Sequence, residues 1–304
     1  MGAKDIAEKA LLSKNDVFAD IINNFLYDGR QVIKPEALED APTTYMYDAN
    51  EKVHELHRDV AKYWKDGNAI LSLIGVENQT EIDIDMPLRM IAYDGAAYRA
   101  QLLNKHRQKR YPVISIILYS GKKRWKHNKS LLECLDVPDV LKPFVNDYKI
   151  NVLEVAHMTE EQLKLLTSDY KIIANTYMQN VTRMNDDVLN MPIKYPYETF
   201  QLLSAITDNP NYLHFGEKNN GGDVTVYDFL KEATRLGEAR GEARGEARGE
   251  ARGEARGEAR GMLQKALTIA TNLKRSTNMS DEAIAELTEL PLEQVKAISV
   301  ERES

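Results

Sequence analysis

Residues 237–260 repeat the tetrad Gly-Glu-Ala-Arg six times without a change, and Gly261 closes the run. Nothing in it is both apolar and larger than alanine, so it cannot build a core and must divide the chain. As a helix it would carry glycine at every fourth position, each costing about 1 kcal/mol relative to alanine. It would also stack Glu over Glu and Arg over Arg at i,i+4, which is mildly unfavourable. Two readings stay open here: a semi-helical spacer, about 36 Å long if fully helical, and a disordered linker. The 304-residue chain therefore reads as a folded domain over 1–236, a spacer over 237–261 and a small helical tail over 262–304.

Hydrophobic residues make up 43% of the chain and charged residues 29%, a globular balance that excludes full disorder. The single cysteine, Cys134, excludes an internal disulfide framework and a structural zinc knuckle. Its neighbours Leu131, Leu132 and Leu135 make it a small core residue rather than a nucleophile. The longest apolar run, Ala69–Val76 with one serine, is too short to span a bilayer. The start, MGAKDIAEKA, has no signal-peptide core, and Ile6 stands where a myristoylation motif needs Ser or Thr. The expectation is a cytoplasmic protein without a membrane partner.

Hydrophobic periodicity predicts helix over 4–28, with a break near Ser13–Asn15, then a loop with short extended pieces over 29–50. Strand-like stretches around Leu56–Trp64 and over Ala69–Gln79 flank Lys65-Asp66-Gly67-Asn68, a hairpin turn by its Asp-Gly step. An amphipathic helix follows from Pro87 to about Gln108, with proline suited to the first turn. Tyr111–Gly121 is uninterrupted and β-branched, so it predicts a buried strand. A later strand covers Ile150–Val155, and helices continue to about Leu236. The order describes a mixed α/β core covered by helices.

Nucleotide and common hydrolase motifs are absent: no P-loop, GxGxxG, HExxH or GxSxG occurs. What remains is Asp59 followed by Glu77-Asn78-Gln79. Side chains alternate along a strand, so Glu77 and Gln79 share one face while Ile74 and Val76 point to the other. Asp59 and Glu77 lie at similar distances from the turn, so their carboxylates can meet across the hairpin. Two carboxylates with a polar group beside them form a hard-oxygen site suited to Mg²⁺, or Mn²⁺ in its place. Such a cation would activate water and neutralise charge on a phosphodiester. A solvated hairpin remains the plain alternative.

The net charge is −7, against a histone-like binder of nucleic acid. Its distribution says otherwise. From Arg99 to Lys129 there are ten Lys/Arg and no Asp or Glu: Arg99, Lys105, Arg107, Lys109, Arg110, Lys122, Lys123, Arg124, Lys126 and Lys129. This patch can track a DNA backbone with salt-dependent affinity, and Trp125 within it could stack on an unpaired base. Arg89 could reach a phosphate or form a helix-surface ion pair. A solubilising surface, or one meeting an acidic segment of the chain, is the other reading.

Read in order, Arg58-Asp59, GVENQT (Gly75–Thr80), MPLRMIAYDGAAY (Met86–Tyr98) and YPVISIILYSG with Trp125 resemble the Rpn family. These are recombination-promoting nucleases, also described as transposases, of the PD-(D/E)xK phosphodiesterase superfamily. The resemblance covers roughly residues 4–180. It implies a restriction-endonuclease-like core, a mixed sheet flanked by helices, carrying a Mg²⁺-dependent DNA endonuclease of recombination, mobile elements or phage defence. It also implies that Asp59 and Glu77 hold the metal, with the carbonyl of Asn78 as a further ligand. Gln79 fills the position of the superfamily's lysine. Glutamine carries no charge, so it would place water by hydrogen bonds. Some relatives put an extra acid on the first helix, where Asp5 and Asp20 are the candidates.

The tail reads as two or three short helices, one with Leu263, Leu267, Ala270 and Leu273 on a shared face and one capped by Ser280. Residues 280–298 hold five acids against Lys296 alone, which favours oligomerisation or partner docking over DNA reading. The resemblance adds a partner: some relatives make a short C-terminal protein from an internal start, and Met262 directly follows the repeat. The alternative to a nuclease is a non-catalytic DNA-binding or scaffold protein using the basic patch and the oligomerising tail.

Overall fold

The computed structural model describes residues 2–49, 52–104, 109–126, 128–179 and 184–299. Packing divides the chain into two compact units, Met1–Lys231 and Glu232–Ser304. The first opens with α1 (Ala3–Leu12) and α2 (Asn15–Tyr27), then β1 (Leu38–Asp40), β2 (Thr44–Ala49), β3 (Lys52–His57), β4 (Val60–Asp66) and β5 (Ala69–Gln79). Helix α3 (Met86–Leu103), β6 (Val113–Tyr119), α4 (Leu131–Cys134) and β7 (Asn151–Glu154) follow. Helices α5 (Glu160–Leu165), α6 (Tyr170–Met178), α7 (Asp186–Leu189), α8 (Pro196–Thr207) and α9 (Pro210–Lys218) complete it.

Among the described residues the main sheet has the order β1-β4-β5-β6-β7, and β2–β3 forms a separate antiparallel ribbon. Strands β4 and β5 make the expected hairpin, with Asp66 paired to Ala69 across a two-residue loop. Gly67 takes φ +54° there, at the first loop position, where a tight hairpin turn favours glycine. From β5 onward the sheet is parallel, because α3 crosses over between β5 and β6. This mixed sheet flanked by helices is consistent with a PD-(D/E)xK-like core.

Strand β5 is buried on both faces. Leu73 packs with Ala97 of α3. On the other face Ile74 pairs with Lys62, whose ammonium lies over the Phe18 ring of α2.

The structure corrects three expectations. The strand around Leu56–Trp64 is two strands, interrupted at Arg58–Asp59. Cys134 is half-buried, not core, and its thiol faces the Ile84 carbonyl. Helix α3 is not amphipathic: its outward side carries Leu88, Ile91, Ala92, Gly95, Tyr98 and Leu102, all exposed.

The interruption before β4 is anchored by Arg58. Its guanidinium donates to Ser115 Oγ on β6 at 2.7 Å and to Asp94 on α3. Asp94 also accepts from Ser115 and from the Tyr148 hydroxyl. The arginine crosses β5 at Gly75, where a Cβ would stand 2.1 Å from its Nη1, so no side chain fits without displacing it. Both charges are buried, and removing one partner strands the other.

In the second unit the repeat belongs to α10 (Val226–Ser276), a continuous helix exposed throughout the repeat. The Gly-Glu-Ala-Arg tetrad is a poor helix nucleus, but helical sequence on both sides supplies the costly first turns, so only propagation falls to the repeat. The tail therefore adds two short helices, α11 (Asp281–Thr288) and α12 (Leu292–Lys296). Ala270, Ile284, Leu290 and Val295 form their buried core. Ser280 caps α11 by accepting from Ala283 N–H. Lys274 donates to the Val295 and Ile298 carbonyls, closing the C-terminal end of α12.

Replacing Asp94 with alanine is expected to cost about 3–5 kcal/mol in urea unfolding, since it leaves Arg58 buried and unpaired. A loss below about 1 kcal/mol would show that the pair does not anchor the core.

Candidate active site

Hairpin register brings Asp59 and Glu77 together. Val60 pairs with Val76, so the preceding Asp59 stands beside Glu77. The Asp59 Oδ2 accepts the Asn78 backbone N–H at 2.8 Å, which pins the aspartate to the C-terminal edge of β5. Its other oxygen meets Lys9 Nζ of α1 at 2.7 Å. Glu77 is only 6% exposed. Its Oε1 receives Arg89 from the first turns of α3 at 2.7 Å, and Arg89 also bonds Asp83 at 2.8 Å. Arg89 thus bridges Glu77 and Asp83 as an ion pair.

The Glu77 Oε2 is buried without a hydrogen-bond partner, as are both polar atoms of the Asn78 side chain. Burial, and then the neighbouring Asp59 charge, push the Glu77 carboxyl up to about 7 against the pull of Arg89 and Arg58. An unpartnered oxygen and mutual repulsion are what a bound cation relieves. The donors present, two carboxylates and backbone carbonyls, are hard oxygens and fit Mg²⁺ in type. Among the described residues, no group of three or more His, Cys, Asp or Glu is placed to hold a metal ion. Gln79 ends β5 half-buried, on the Glu77 face, with its carbonyl accepting from Ser120 N–H.

An acid that sequence reasoning missed is Glu8. It is 2% exposed on α1, with Oε1 lacking a partner. Burial pushes it up to about 7, with Asp59 and Asp5 raising it further and Lys4 opposing. The two first-helix candidates have other work. Asp5 accepts from Gly2 N–H at the start of α1. Asp20 accepts from the Thr167 and Ser168 amides and the Thr167 hydroxyl, clamping α2 to the segment before α6.

The basic run divides into two groups. Lys122, Lys123, Arg124 and Lys126 are exposed just after β6, whose last residue Tyr119 pairs with Gln79. They share the sheet edge of Glu77. Arg99, Lys109 and Arg110 are exposed at the other end, beside the start of β6. A seven-residue strand, about 20 Å, separates the groups. Lys129 pairs with Glu154 at 3.5 Å. Lys105 and Arg107 fall outside the described residues. Trp125 is 1% exposed and packs edge-on against Tyr119 at 5.1 Å, in a cluster with Met86, Met90, Tyr93 and Ile117. It cannot stack on a base without leaving the core, which corrects the expectation drawn from its basic neighbours.

Residues 62–208 match the family model described as "Putative transposase, YhgA-like". That stretch is similar to the YhgA-like family and covers just under half of the chain. The family is of the Rpn, PD-(D/E)xK type, as the sequence resemblance implied. Its match takes in Glu77, Asn78, Gln79, Arg89 and the basic run, and starts just after Asp59. No curated protein and no solved structure matches the chain. None of the described helices is long and apolar enough to cross a membrane.

A carboxyl whose affinity for protons is raised by folding stabilises the fold at low pH and loses that contribution as pH rises through its folded value. Glu77 and Glu8 therefore make the protein less stable between pH 4.5 and about 7 and above. At pH 8, Glu77→Gln is expected to be more stable than the parent by on the order of 2–3 kcal/mol in urea unfolding. At pH 4.5 the two should be alike. Equal or lower stability of the variant at pH 8 would show that the Glu77 charge carries no folding penalty.

Proposed function

We propose that this chain is a Mg²⁺-dependent DNA endonuclease. The observation that carries the reading is Glu77: a buried carboxylate, beside Asp59, with one oxygen unpartnered and its proton affinity raised. Asp59 and Glu77 would hold the cation, with the Asn78 carbonyl as a third oxygen and Mn²⁺ as a substitute. The metal, when bound, supplies charge neutralisation at the phosphodiester and a more acidic water. Gln79, on the same face, orients that water through its amide. Glu77 must be deprotonated to serve, so cation affinity rises as pH passes about 7. Arg89 sits within reach of a phosphate once its hold on Glu77 is relaxed. Lys122, Lys123, Arg124 and Lys126 track the backbone along the same edge.

Asp59→Ala and Glu77→Ala are expected to abolish Mg²⁺-dependent nicking or linearisation of plasmid DNA while keeping a cooperative unfolding transition. Unchanged cleavage in both variants sinks the assignment. Mg²⁺ should raise the melting temperature of the parent at pH 8 and leave that of Glu77→Gln unchanged.

Neutralising Lys122, Lys123 and Arg124 together should weaken duplex binding at least tenfold and reduce the salt slope by about 2 to 3. Neutralising Lys109 and Arg110 should have the smaller effect in a single copy of the chain. Equal losses would argue against the edge assignment.

The second reading is a non-catalytic DNA-binding or scaffold protein. It is favoured by glutamine, which carries no charge, at the lysine position. Gel retardation of plasmid without new ends, with Mg²⁺ and with EDTA alike, would establish it. The tail is proposed as an oligomerisation module and as the body of a separate fragment starting at Met262. Every residue of its buried core, Ala270 to Val295, lies after that methionine.

A further inference from the structure

Strands β5, β6 and β7 run parallel, and in an open α/β sheet ligands bind outside the carboxyl ends of such strands. That edge carries Glu77 and Gln79, and α1 brings a lysine to it. Lys4 Nζ, on the first turn of α1, donates to Thr80 Oγ1 at 2.8 Å and to Ser120 Oγ at 2.9 Å. Its ammonium also lies 5.1 Å from the centre of the Tyr177 ring. Thr80 directly follows Gln79 at the end of β5, and Ser120 follows the last residue of β6. The Ser120 N–H donates to the Gln79 carbonyl at 2.9 Å. A single residue, Ser120, therefore links Lys4 to the glutamine that stands at the superfamily's lysine position.

These groups keep donors to spare. An ammonium has three hydrogens, and the two hydroxyls take two of them. Thr80 is exposed and accepts from Lys4 through its oxygen, so its own proton is left to donate outward. A charged donor beside a hydroxyl suits an oxygen-rich anion, a phosphate above all. Of the acids on this side of the edge, Asp59 is balanced by Lys9 and Asp5 caps α1 through the Gly2 N–H. Glu8, one turn along from Lys4, is kept largely protonated by burial below about pH 7.

What lies next to Lys4 says whose phosphate it takes. After Ser120 the chain passes close to Thr80 at Gly121, where a Cβ would stand 2.5 Å from the Thr80 carbonyl oxygen. Lys122, Lys123 and Arg124 follow, all exposed. Lys4 is half-buried and continues this basic group inward to the end of β5. A free phosphate would need Lys4 alone, whereas a polyanion uses the exposed bases and the inner lysine together. We propose that Lys4, with Thr80 and Ser120, forms a phosphate-binding subsite of the candidate active site, holding a backbone phosphate of a DNA strand that runs along Lys122, Lys123 and Arg124. The proposal rests on the DNA reading above for the owner of the phosphate, and on neither metal binding nor cleavage. The positive charge that Gln79 cannot carry is then supplied by α1.

The test is duplex DNA binding by the full chain at pH 6.5 with EDTA, where no cleavage intervenes and Glu8 and Glu77 are largely protonated. Lys4→Met is expected to weaken binding about fivefold and to lower the salt slope by about 1, the share of one phosphate contact. Lys4→Arg should keep the slope, which separates the charge from any stapling of α1 to the sheet. Thr80→Val should weaken binding with the slope unchanged, since it removes a donor and no charge. Should Lys4→Met not fold, that loss in Thr80→Val carries the test and its absence overturns the subsite. Unchanged affinity and slope in Lys4→Met, while neutralising Lys122, Lys123 and Arg124 weakens binding, overturns the subsite and leaves the DNA reading standing. No duplex binding by the parent overturns both. A second arm uses millimolar inorganic phosphate. If it raises the melting temperature of the parent but not of Lys4→Met, with duplex binding equal in the two, the subsite belongs to free phosphate and the backbone proposal is overturned.

Discussion

The first unit is organised around the buried pair between Arg58 and Asp94. Four separate segments converge on it: the turn before β4, α3, β6 through Ser115, and the loop that carries Tyr148. Taking two charges out of water costs more than their attraction returns unless every remaining group is bonded. Asp94 meets that condition with three donors, whereas the Nε of Arg58 is buried without a partner. The pair is thus better understood as a positional device than as a source of stability. It breaks the strand ahead of β4 and holds the chain where Asp59, the next residue, turns toward the end of β5. Gly75 is the geometric counterpart, since the guanidinium passes where its side chain would be.

What that device positions is electrostatically unfavourable. Asp59 and Glu77 repel each other, and burial raises the proton affinity of Glu77 further. Lys9 and Arg89 offset part of the repulsion from opposite sides, Lys9 on Asp59 and Arg89 on Glu77. Neither reaches Glu77 Oε2. A fold selected for stability alone would put an apolar residue at the end of β5, where the preceding residues Leu73 to Val76 are all buried. Keeping a glutamate there costs folding free energy, the trade expected at functional sites.

Much of this is legible in the sequence itself. The Asp-Gly turn fixed the hairpin, and period-two alternation put Glu77 and Gln79 on one face, because both signals are local. Two things were not legible, and each has a physical cause. The basic run looked continuous because charge was read along the chain. Strand β6 passes through its middle and carries its two halves to opposite edges of the sheet. Trp125 went with the bases for the same reason, although its ring belongs with Tyr119 and the methionines of α3.

Glu8 is not placed by the sequence of α1 alone, because that sequence does not set the phase of the helix. Centring the apolar face on Ile6 and Ala10 makes Glu8 a surface acid. Ile6 is in fact 51% exposed, and the buried face is Ala7, Glu8, Leu11 and Leu12. Read as i, i+1, i+4, i+5 from Ala7, the same sequence puts a carboxylate within the apolar stripe. A charge that breaks the phase of a helix carries the information that Glu77 carries at the end of a strand. A short helix with alanine on two sides leaves that phase undetermined by composition alone. It is settled by α8, against which α1 packs, and that is a contact across most of the chain. Local signals therefore recover the half of the site that lies on one hairpin, while the half contributed by α1 emerges only with the tertiary fold.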